Sequence, residues 1–298
     1  MLTSFEHLKQ KVVANKPKFV IAVAAAADAA ALSAICDAER ELGVDYVLIG
    51  DKAAIIAAAG GVGFAVDESK IIQADSDEVA AEIAVGLVRN DRADVLMKGK
   101  LQTGVLMKAV VDKENGIRRG GLMSHLAVLE SPFYHKLIFV TDGGMVPTPD
   151  LAQKRGIAEN AVGFLRQLGY STPKVAALAA VETVSDKMQE TVDAAALAAL
   201  NRDGEIGGCV IDGPISIDLA VSAESAKIKG FESPVAGDAD IFLAPGIAAG
   251  NIMAKTLIYL GNAKMAGCVL GAKVPIILVS RGASAEEKML SILLAVAR

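Results

Sequence analysis

The stretch KFVIAVAAAADAAALSAICDAERELGVDYVLIG, residues 18–50, contains two apolar runs separated by a segment of helical character. The runs at 18–25 and 45–50 have the length and composition of buried strands. Between them lies a stretch of helical character from Asp28 to Leu42. The order strand, helix, strand predicts two parallel strands joined by a crossover helix.

The same alternation continues through the rest of the chain. Further strand candidates lie at 70–74, 94–99, 136–141, 174–180, 208–213, 240–245, 267–270 and 275–280. Helical candidates between them cover 77–89, 103–112, 150–168 and 185–200. This repetition predicts an α/β fold with mainly parallel sheets and helices on both faces.

The composition agrees with this fold class. The chain has 298 residues, of which 53% are hydrophobic but only 4% aromatic, so its apolar mass is Ala, Val, Ile and Leu. These residues suit parallel strands that are buried on both faces. The length is typical of two domains, and the Gly- and Pro-rich stretch TDGGMVPTP, residues 141–149, predicts a change of domain.

Charge and hydropathy patterns exclude several classes of protein. The longest apolar region, residues 19–36, is interrupted by Asp28, so no transmembrane helix is predicted. The N-terminus has interleaved charges instead of the apolar centre of a signal peptide, which favours a cytoplasmic location. A net charge of −5 argues against nucleic-acid binding. Cys36, Cys209 and Cys268 are too far apart in sequence to suggest a zinc site or a disulfide framework.

Ligands of open α/β sheets bind beyond the carboxyl ends of the strands, so the segments that follow strands are the candidate sites. In VSRGASAEE, residues 279–287, Ser280 and Arg281 end a strand and Ser284 precedes a helix. A hydroxyl, a guanidinium and the free amides of a helix N-terminus suit an oxyanion such as phosphate. The alternative is purely structural, since Ser284 and Glu287 have the spacing of a capping box.

A second cluster follows the strand at 94–99. In MKGKLQTG, residues 97–104, Lys100, Gln102 and Thr103 precede a helix and offer another cation beside a hydroxyl. This is not a Walker A loop, because the pattern GxxxxGK[ST] does not occur in the sequence. Lys100 can equally be a solvated loop lysine.

Further candidate ligands lie in later segments. Arg118, Arg119 and Ser124 surround a pair of glycines, where the arginines could bind phosphate or form a solvated edge. Asp212 lies at the end of a strand, where it could contact a ligand or serve only in a turn. Asn251 opens a helix, and its amide could cap that helix or contact a ligand. The sequence has neither a GxSxG motif nor a HExxH motif, so neither a serine nucleophile nor a metal site of these kinds is predicted.

Six segments at these strand ends, taken together and in order, resemble the phosphate acetyl/butyryl transferase family, and most closely its butyryl-transferring branch. They are LMKGKLQTG (96–104), RRGGLMSHLAVLE (118–130), TDGGMVPTPDLAQK (141–154), IDGPISIDLAVS (211–222), PVAGDADIFLAPGIAAGN (234–251) and SRGASAEEKMLSI (280–292). The resemblance covers roughly residues 94–298, whereas the first 90 residues share only the general character of the family's sequences and no specific motif.

This resemblance implies a fold and a reaction. The fold would be that of isocitrate and isopropylmalate dehydrogenases, with two α/β domains around a cleft. Residues 1–142 with 268–298 would form one domain and residues 143–267 the other. The reaction would be acyl-CoA plus phosphate giving acyl phosphate plus CoA, with a butyryl or acetyl group. We expect no metal and no cofactor besides CoA as substrate, and a homodimer or larger homo-oligomer, as in the family.

The family's site residues transfer onto matching positions of this sequence. Ser280 and Arg281 match its Ser-Arg pair at the acyl-phosphate site, and Lys100, Gln102 and Thr103 occupy its phosphate-reaching loop. Either Arg118 or Arg119 corresponds to a further arginine at the cleft of the family's fold. Acetyl-transferring relatives place an acid seven residues after the serine, which is Glu287 here, whereas butyryl-transferring relatives place it one residue earlier, which is Glu286. Either carboxylate could act as the general base for the CoA thiol within a ternary complex.

Two other functions remain open on the same fold. Domains that resemble this family also serve as non-catalytic modules that sense acyl-CoA. A metal- and NAD-dependent decarboxylating dehydrogenase is the other alternative, although the sequence offers neither an aspartate cluster nor a dinucleotide-binding pattern for it.

Overall fold

The computed structural model describes residues 1–15, 18–280 and 282–298. Its helices are α1 (Phe5–Asn15), α2 (Ala29–Leu42), α3 (Lys52–Gly61), α4 (Asp77–Arg89), α5 (Thr103–Val110), α6 (Leu151–Gln167), α7 (Gln189–Arg202), α8 (Ile217–Val221), α9 (Ala223–Lys229), α10 (Ile247–Tyr259) and α11 (Ala285–Val296). Its strands are β1 (Val20–Ala24), β2 (Asp45–Gly50), β3 (Ile71–Gln73), β4 (Val95–Lys98), β5 (Ser124–Glu130), β6 (Ile138–Thr141), β7 (Lys174–Leu178), β8 (Val210–Ile215), β9 (Ile241–Leu243), β10 (Lys264–Leu270) and β11 (Ile276–Ile277). This alternation confirms the predicted α/β class.

The chain forms two compact units. The first unit contains Phe5–Gly121 and Ala266–Arg298, and the second contains Met1–Ser4 and Leu122–Met265. Both are discontinuous in sequence, so the C-terminal segment packs with the N-terminal half of the chain.

The first unit is built on a mainly parallel sheet with the strand order β3-β2-β1-β4-β11-β10. Every pair in this series is parallel except β11 with β10. The carboxyl ends of β3, β2, β1, β4 and β11 therefore lie along one edge of the sheet. That edge carries the loops that follow residues 24, 98 and 277, which include two of the predicted site segments.

Local sequence explains where the crossover helix of this unit begins and ends. The Asp28 side chain accepts a hydrogen bond from the Ala31 amide at 2.7 Å, which caps α2. At its other end, Gly43 adopts a left-handed backbone with φ of 69° and so allows the chain to turn into β2. Helix α2 packs on α11, which brings the two ends of the first unit's sequence together.

The second unit is built on strands in the order β5-β6-β9-β7-β8. Strands β6, β9, β7 and β8 are parallel, whereas β5 pairs antiparallel with β6. Strand β5 was not among the predicted strands. It forms because SHLAVLE packs its apolar residues into the buried core of this unit, against β6.

The compact units and the expected domains divide the chain differently at residues 1–4, 266–267 and, as the longest segment, 122–142. The expected division placed this segment with the N-terminal domain, whereas here it belongs to the second unit. The physical reason is strand pairing, since β5 bonds to β6 and β6 pairs in parallel with β9 from residue 241 onward. The two Gly and two Pro residues at 141–149 therefore follow a strand that is already inside the second unit.

Within the described residues, every helix is either too short or too polar to cross a membrane.

Candidate active site

A cavity of about 590 Å³ opens at the strand-end edge of the first unit. We call it the strand-end cavity. Its lining combines three lysines, two aspartates, a serine and small residues: Ala27, Asp28, Ala29, Ala30, Asp77, Lys98, Gly99, Lys100, Leu101, Gln102, Val279, Ser280 and Lys288. Lys100, Gln102 and Ser280 were predicted as site residues, and the fold brings these three to one cavity.

The loop that carries Lys100 is held tightly against the end of β1. The Gly99 and Lys100 amides donate to the Ala24 and Ala25 carbonyls, each at 2.8 Å. A Cβ on Gly99 would lie only 2.2 Å from the Ala25 oxygen, so no larger residue fits there. This contact fixes the path of the chain from β4 into the cavity rim, where the Lys100 side chain is exposed.

We expect Gly99→Ala to lower the free energy of unfolding by about 3 kcal/mol, since the methyl group would overlap backbone atoms that cannot move aside. The matched variant is Gly104→Ala in α5, where an added Cβ has no neighbour within 4 Å. That variant should gain about 0.5 kcal/mol from helix propensity. Urea unfolding of both variants measures the difference, and equal stabilities would contradict the steric interpretation.

Four charged side chains at the cavity, those of Asp28, Asp77, Lys98 and Lys288, were not predicted as site residues. Lys98 and Lys288 are only 6% and 4% exposed, yet both line the cavity. The Lys98 ammonium donates to the Gly99 and Leu101 carbonyls at 3.2 and 3.1 Å, which supports the loop around Lys100. The Lys288 ammonium donates to Asp28 Oδ1 at 2.8 Å.

Sequence patterns gave little signal for these side chains. Lys98 looked like part of a strand, Asp28 like the start of a helical stretch and Lys288 like one residue of a helix. Their place in the cavity depends on the strand order, which sets β1 beside β4 and β4 beside β11.

The charge balance of the cavity favours an anion. Lys98, Lys100 and Lys288 face Asp28 and Asp77 across the same lining. Although burial opposes it, hydrogen bonds from Lys288 and the Ala31 amide lower the pKa of Asp28, so this carboxylate stays ionised beside its lysine. One of the negative charges is thus already paired, and an excess of positive charge remains for a bound oxyanion.

The first turn of α11 carries the two candidate bases. Ser284 caps the helix by accepting a hydrogen bond from the Glu287 amide at 3.1 Å, in agreement with the capping role considered for it. Glu287 is half-buried, whereas Glu286 is exposed. Burial raises the pKa of the Glu287 carboxyl above its ordinary value, and the Lys288 charge offsets part of that rise. Arg281 lies outside the described residues.

The other predicted residues of the first unit lie apart from the cavity lining. Thr103 is exposed at the first position of α5, directly after the lining residue Gln102. Arg118 and Arg119 are both exposed. The Arg118 guanidinium donates to the Gly121 carbonyl at 3.0 Å, and the Arg119 amide donates to the Gly271 carbonyl at 3.1 Å.

Three predicted site residues belong to the second unit. Ser124 is fully buried, and its hydroxyl accepts a hydrogen bond from Asn160 at 3.0 Å, so it offers no surface to a solute in this structure. Asp212 is half-buried in β8 and accepts a bond from the Gly213 amide. Asn251 is exposed on α10, and its amide donates to the Gly143 carbonyl at 3.0 Å.

Comparison with known proteins agrees with the strand-end motifs. The family model described as phosphate acetyl/butaryl transferase matches residues 77–296. A phosphate butyryltransferase of Clostridium acetobutylicum is 41% identical over 99% of this chain and 98% of its own length. A phosphate acetyltransferase of Thermotoga maritima is 41% identical over 92% of this chain and 93% of its own.

A solved structure also matches. The crystal structure of a branched-chain phosphotransacylase from Enterococcus faecalis superposes with a TM-score of 0.83 at 31% identity. The match covers 94% of this chain and 98% of that one. It confirms the fold class that the alternation of strands and helices predicts.

Proposed function

Because the chain belongs to the phosphate acetyl/butyryl transferase family, we propose that it catalyses reversible acyl transfer between CoA and inorganic phosphate. In one direction the CoA thiol attacks the carbonyl carbon of an acyl phosphate. A C–S bond forms, the C–O bond to phosphate breaks, and the thiol proton passes to a carboxylate. In the other direction phosphate attacks acyl-CoA, and the released thiolate takes the proton back.

The observation that carries this proposal is the strand-end cavity within a chain that matches its relatives over nearly its full length. Lys100 and Ser280 would hold the phosphate, together with the free amides at the N-terminus of α5, next to Gln102 and Thr103. Arg281 would add a bidentate contact to the same anion, as the family resemblance implies. Holding both substrates in one complex would supply much of the rate enhancement.

We propose Glu287, rather than Glu286, as the general base. A base works best when its pKa is close to the working pH, and burial moves the Glu287 carboxyl in that direction. Glu287 also lies one residue before Lys288, which lines the cavity, whereas Glu286 is exposed.

A ternary complex is favoured over a covalent acyl-enzyme at either buried cysteine. Burial raises the pKa of the Cys209 thiol to about 11 and that of the Cys268 thiol to about 12. Because the thiolate is the nucleophile, both side chains are unreactive near neutral pH.

The finer assignments rest on the resemblance. We propose a preference for butyryl over acetyl groups, with Arg118 and Arg119 as further anion contacts and Asp212 and Asn251 as contacts from the second unit. Direct contact by Ser124 would require its hydroxyl to be uncovered first. We also place the enzyme in the cytoplasm as a homodimer or larger homo-oligomer that acts on small molecules, without metal, nucleic acid or membrane.

One assay tests the activity and separates it from the alternatives. Incubation with butyryl-CoA and phosphate should release free thiol, and a panel of C2–C6 acyl-CoAs should rank the chain lengths. Binding of butyryl-CoA without thiol release from any member of the panel would indicate a sensing module. Reduction of NAD by candidate hydroxy acids, without thiol release, would indicate a dehydrogenase.

A further inference from the structure

We propose that the ion pair between Asp28 and Lys288 is the positioning element for the first turn of α11, which carries Glu287 and reaches the lining of the strand-end cavity through Lys288. This inference rests on the proposed function, since it assigns the pair a part in the acyl-transfer reaction. Neither residue was among the candidate ligands, although Lys288 lies within the quoted segment 280–292.

The pair joins two parts of the chain that are 260 residues apart. Asp28 is fixed from its own side, because its carboxylate caps α2 through the Ala31 amide at 2.7 Å. The same Oδ1 atom accepts from the Lys288 ammonium at 2.8 Å. Lys288 is 4% exposed and lies in the first turn of α11, so its side chain has little freedom to leave this partner.

Backbone hydrogen bonds also hold Lys288 in place. Its amide donates to the Ser284 carbonyl at 3.1 Å, and the Ala283 amide donates to the Ser280 carbonyl at 3.0 Å. Hydrogen bonds therefore link Asp28 through Lys288 to Ser284, the cap of α11, and the neighbouring Ala283 is bonded to Ser280, which lines the cavity. Glu287 is the residue immediately before Lys288, so its position depends on the same ion pair and hydrogen bonds.

The cost of breaking the pair makes it a strong constraint. The pair is partly buried, since the Lys288 side chain is 5% exposed and that of Asp28 is 23% exposed. Removing Asp28 leaves the buried Lys288 charge without compensation, which is destabilising. Lys98 is also buried and interacts electrostatically with Asp28. Replacing Asp28 by a neutral residue would therefore remove a compensating negative charge from Lys98 as well. We expect the first turn of α11, to which Lys288 belongs, to move in response.

Asp28→Asn is the main test. Asparagine still caps a helix, so α2 should persist while the charge of the pair is lost. We expect kcat to fall by about 30-fold, since small displacements of reacting groups carry costs of this order. The KM for acyl-CoA should stay within about twofold of wild type, because positioning affects the chemical step more than substrate binding. An unchanged kcat would overturn the proposal.

Lys288 variants show whether the pair acts as a unit. Lys288→Met should lower kcat as much as Asp28→Asn does, and the double variant should lose no more than either single variant. Lys288→Arg should recover most of the activity, because a guanidinium can still donate to Asp28. If Lys288→Met raises the KM for phosphate while Asp28→Asn is silent, Lys288 is a direct phosphate ligand and the proposal is wrong.

The matched control is the buried pair of Lys154 and Asp193 in the second unit. Its Nζ–Oδ2 distance is 2.6 Å, and both side chains are 7% exposed. Lys154→Met should lower the melting temperature at least as much as Asp28→Asn does, yet leave kcat near wild type. A similar loss of kcat in the control would mean that Asp28→Asn acts only through stability, which would also overturn the proposal.

Hydrogen exchange separates this proposal from the proposed function. In Asp28→Asn the amides of residues 285–290 should exchange faster than in wild type, with no such change in Lys154→Met. This measurement needs no substrate. If the wild-type protein releases no thiol but Asp28→Asn exchanges faster, the proposed acyl transfer is wrong and the positioning of α11 by the ion pair still holds. Unchanged exchange would remove the positioning role whatever the activity.

Discussion

Glu287→Gln is expected to lower kcat by about 1000-fold, because the amide cannot accept the proton of the CoA thiol. The size and hydrogen-bonding shape of the side chain are nearly preserved, so the cap at Ser284 and the fold of α11 should persist. The measurement is thiol release from butyryl-CoA and phosphate, with the melting temperature recorded in parallel.

The chain provides a matched control one residue earlier. Glu286→Gln changes the same group in the same turn at an exposed position, and we expect kcat within about threefold of wild type, as for most surface substitutions. The opposite ranking of the two variants would assign the base to Glu286. Equal, mild losses in both would place the base on another residue.

The pH profile tests the same assignment in the wild-type enzyme. The base must be deprotonated to act, so activity falls as the pH drops through its pKa. Because burial raises the pKa of Glu287, the acid limb of kcat/KM should lie above the ordinary glutamate value of about 4.3. An acid limb at or below that value would contradict a half-buried base.

Arg281→Ala is expected to lower kcat by about 100-fold and to raise the KM for phosphate, since a guanidinium that contacts the transferred group stabilises its developing charge. The basis is the Ser-Arg pair of the family resemblance together with the position of Ser280 in the cavity lining. Initial rates at varied phosphate and fixed butyryl-CoA separate the two parameters.

Arg40→Ala is the control for the loss of an arginine. Arg40 is exposed on α2 of the same unit and pairs with Asp37 and Glu41, contacts that contribute little to stability at the surface. Its kinetics should match wild type. If Arg281→Ala also leaves both phosphate parameters near wild type, the phosphate site lies elsewhere.

Much of the fold was predictable because its signals are local. The apolar runs that became β1, β2, β4 and β6 are short and uninterrupted, and Asp28 and Gly43 mark the ends of α2 by their own turn chemistry. Strand β5 shows the limit of such signals. Its antiparallel pairing with β6 depends on a partner strand, which residue periodicity in one segment does not identify.

The residues of the candidate site also fall into those that local sequence signals identified and those that they did not. Lys100, Gln102 and Ser280 were found because each follows a strand in a segment with turn and cap residues. Lys98 and Lys288 were missed because each is an ordinary residue of its own strand or helix. Their burial at the cavity comes from neighbours that are distant in sequence.

The sequence by itself therefore determined the α/β class, the family and the strand-end segments that carry the proposed chemistry. These depend on periodicity, turn residues and motif order, all of which are properties of short stretches. Only the tertiary structure decided which charges meet. The strand order β1-β4-β11 and the packing of α2 on α11 bring Asp28 to Lys288 and distinguish the half-buried Glu287 from the exposed Glu286. Burial and ion pairing arise from contacts across the whole chain, and no single segment contains them.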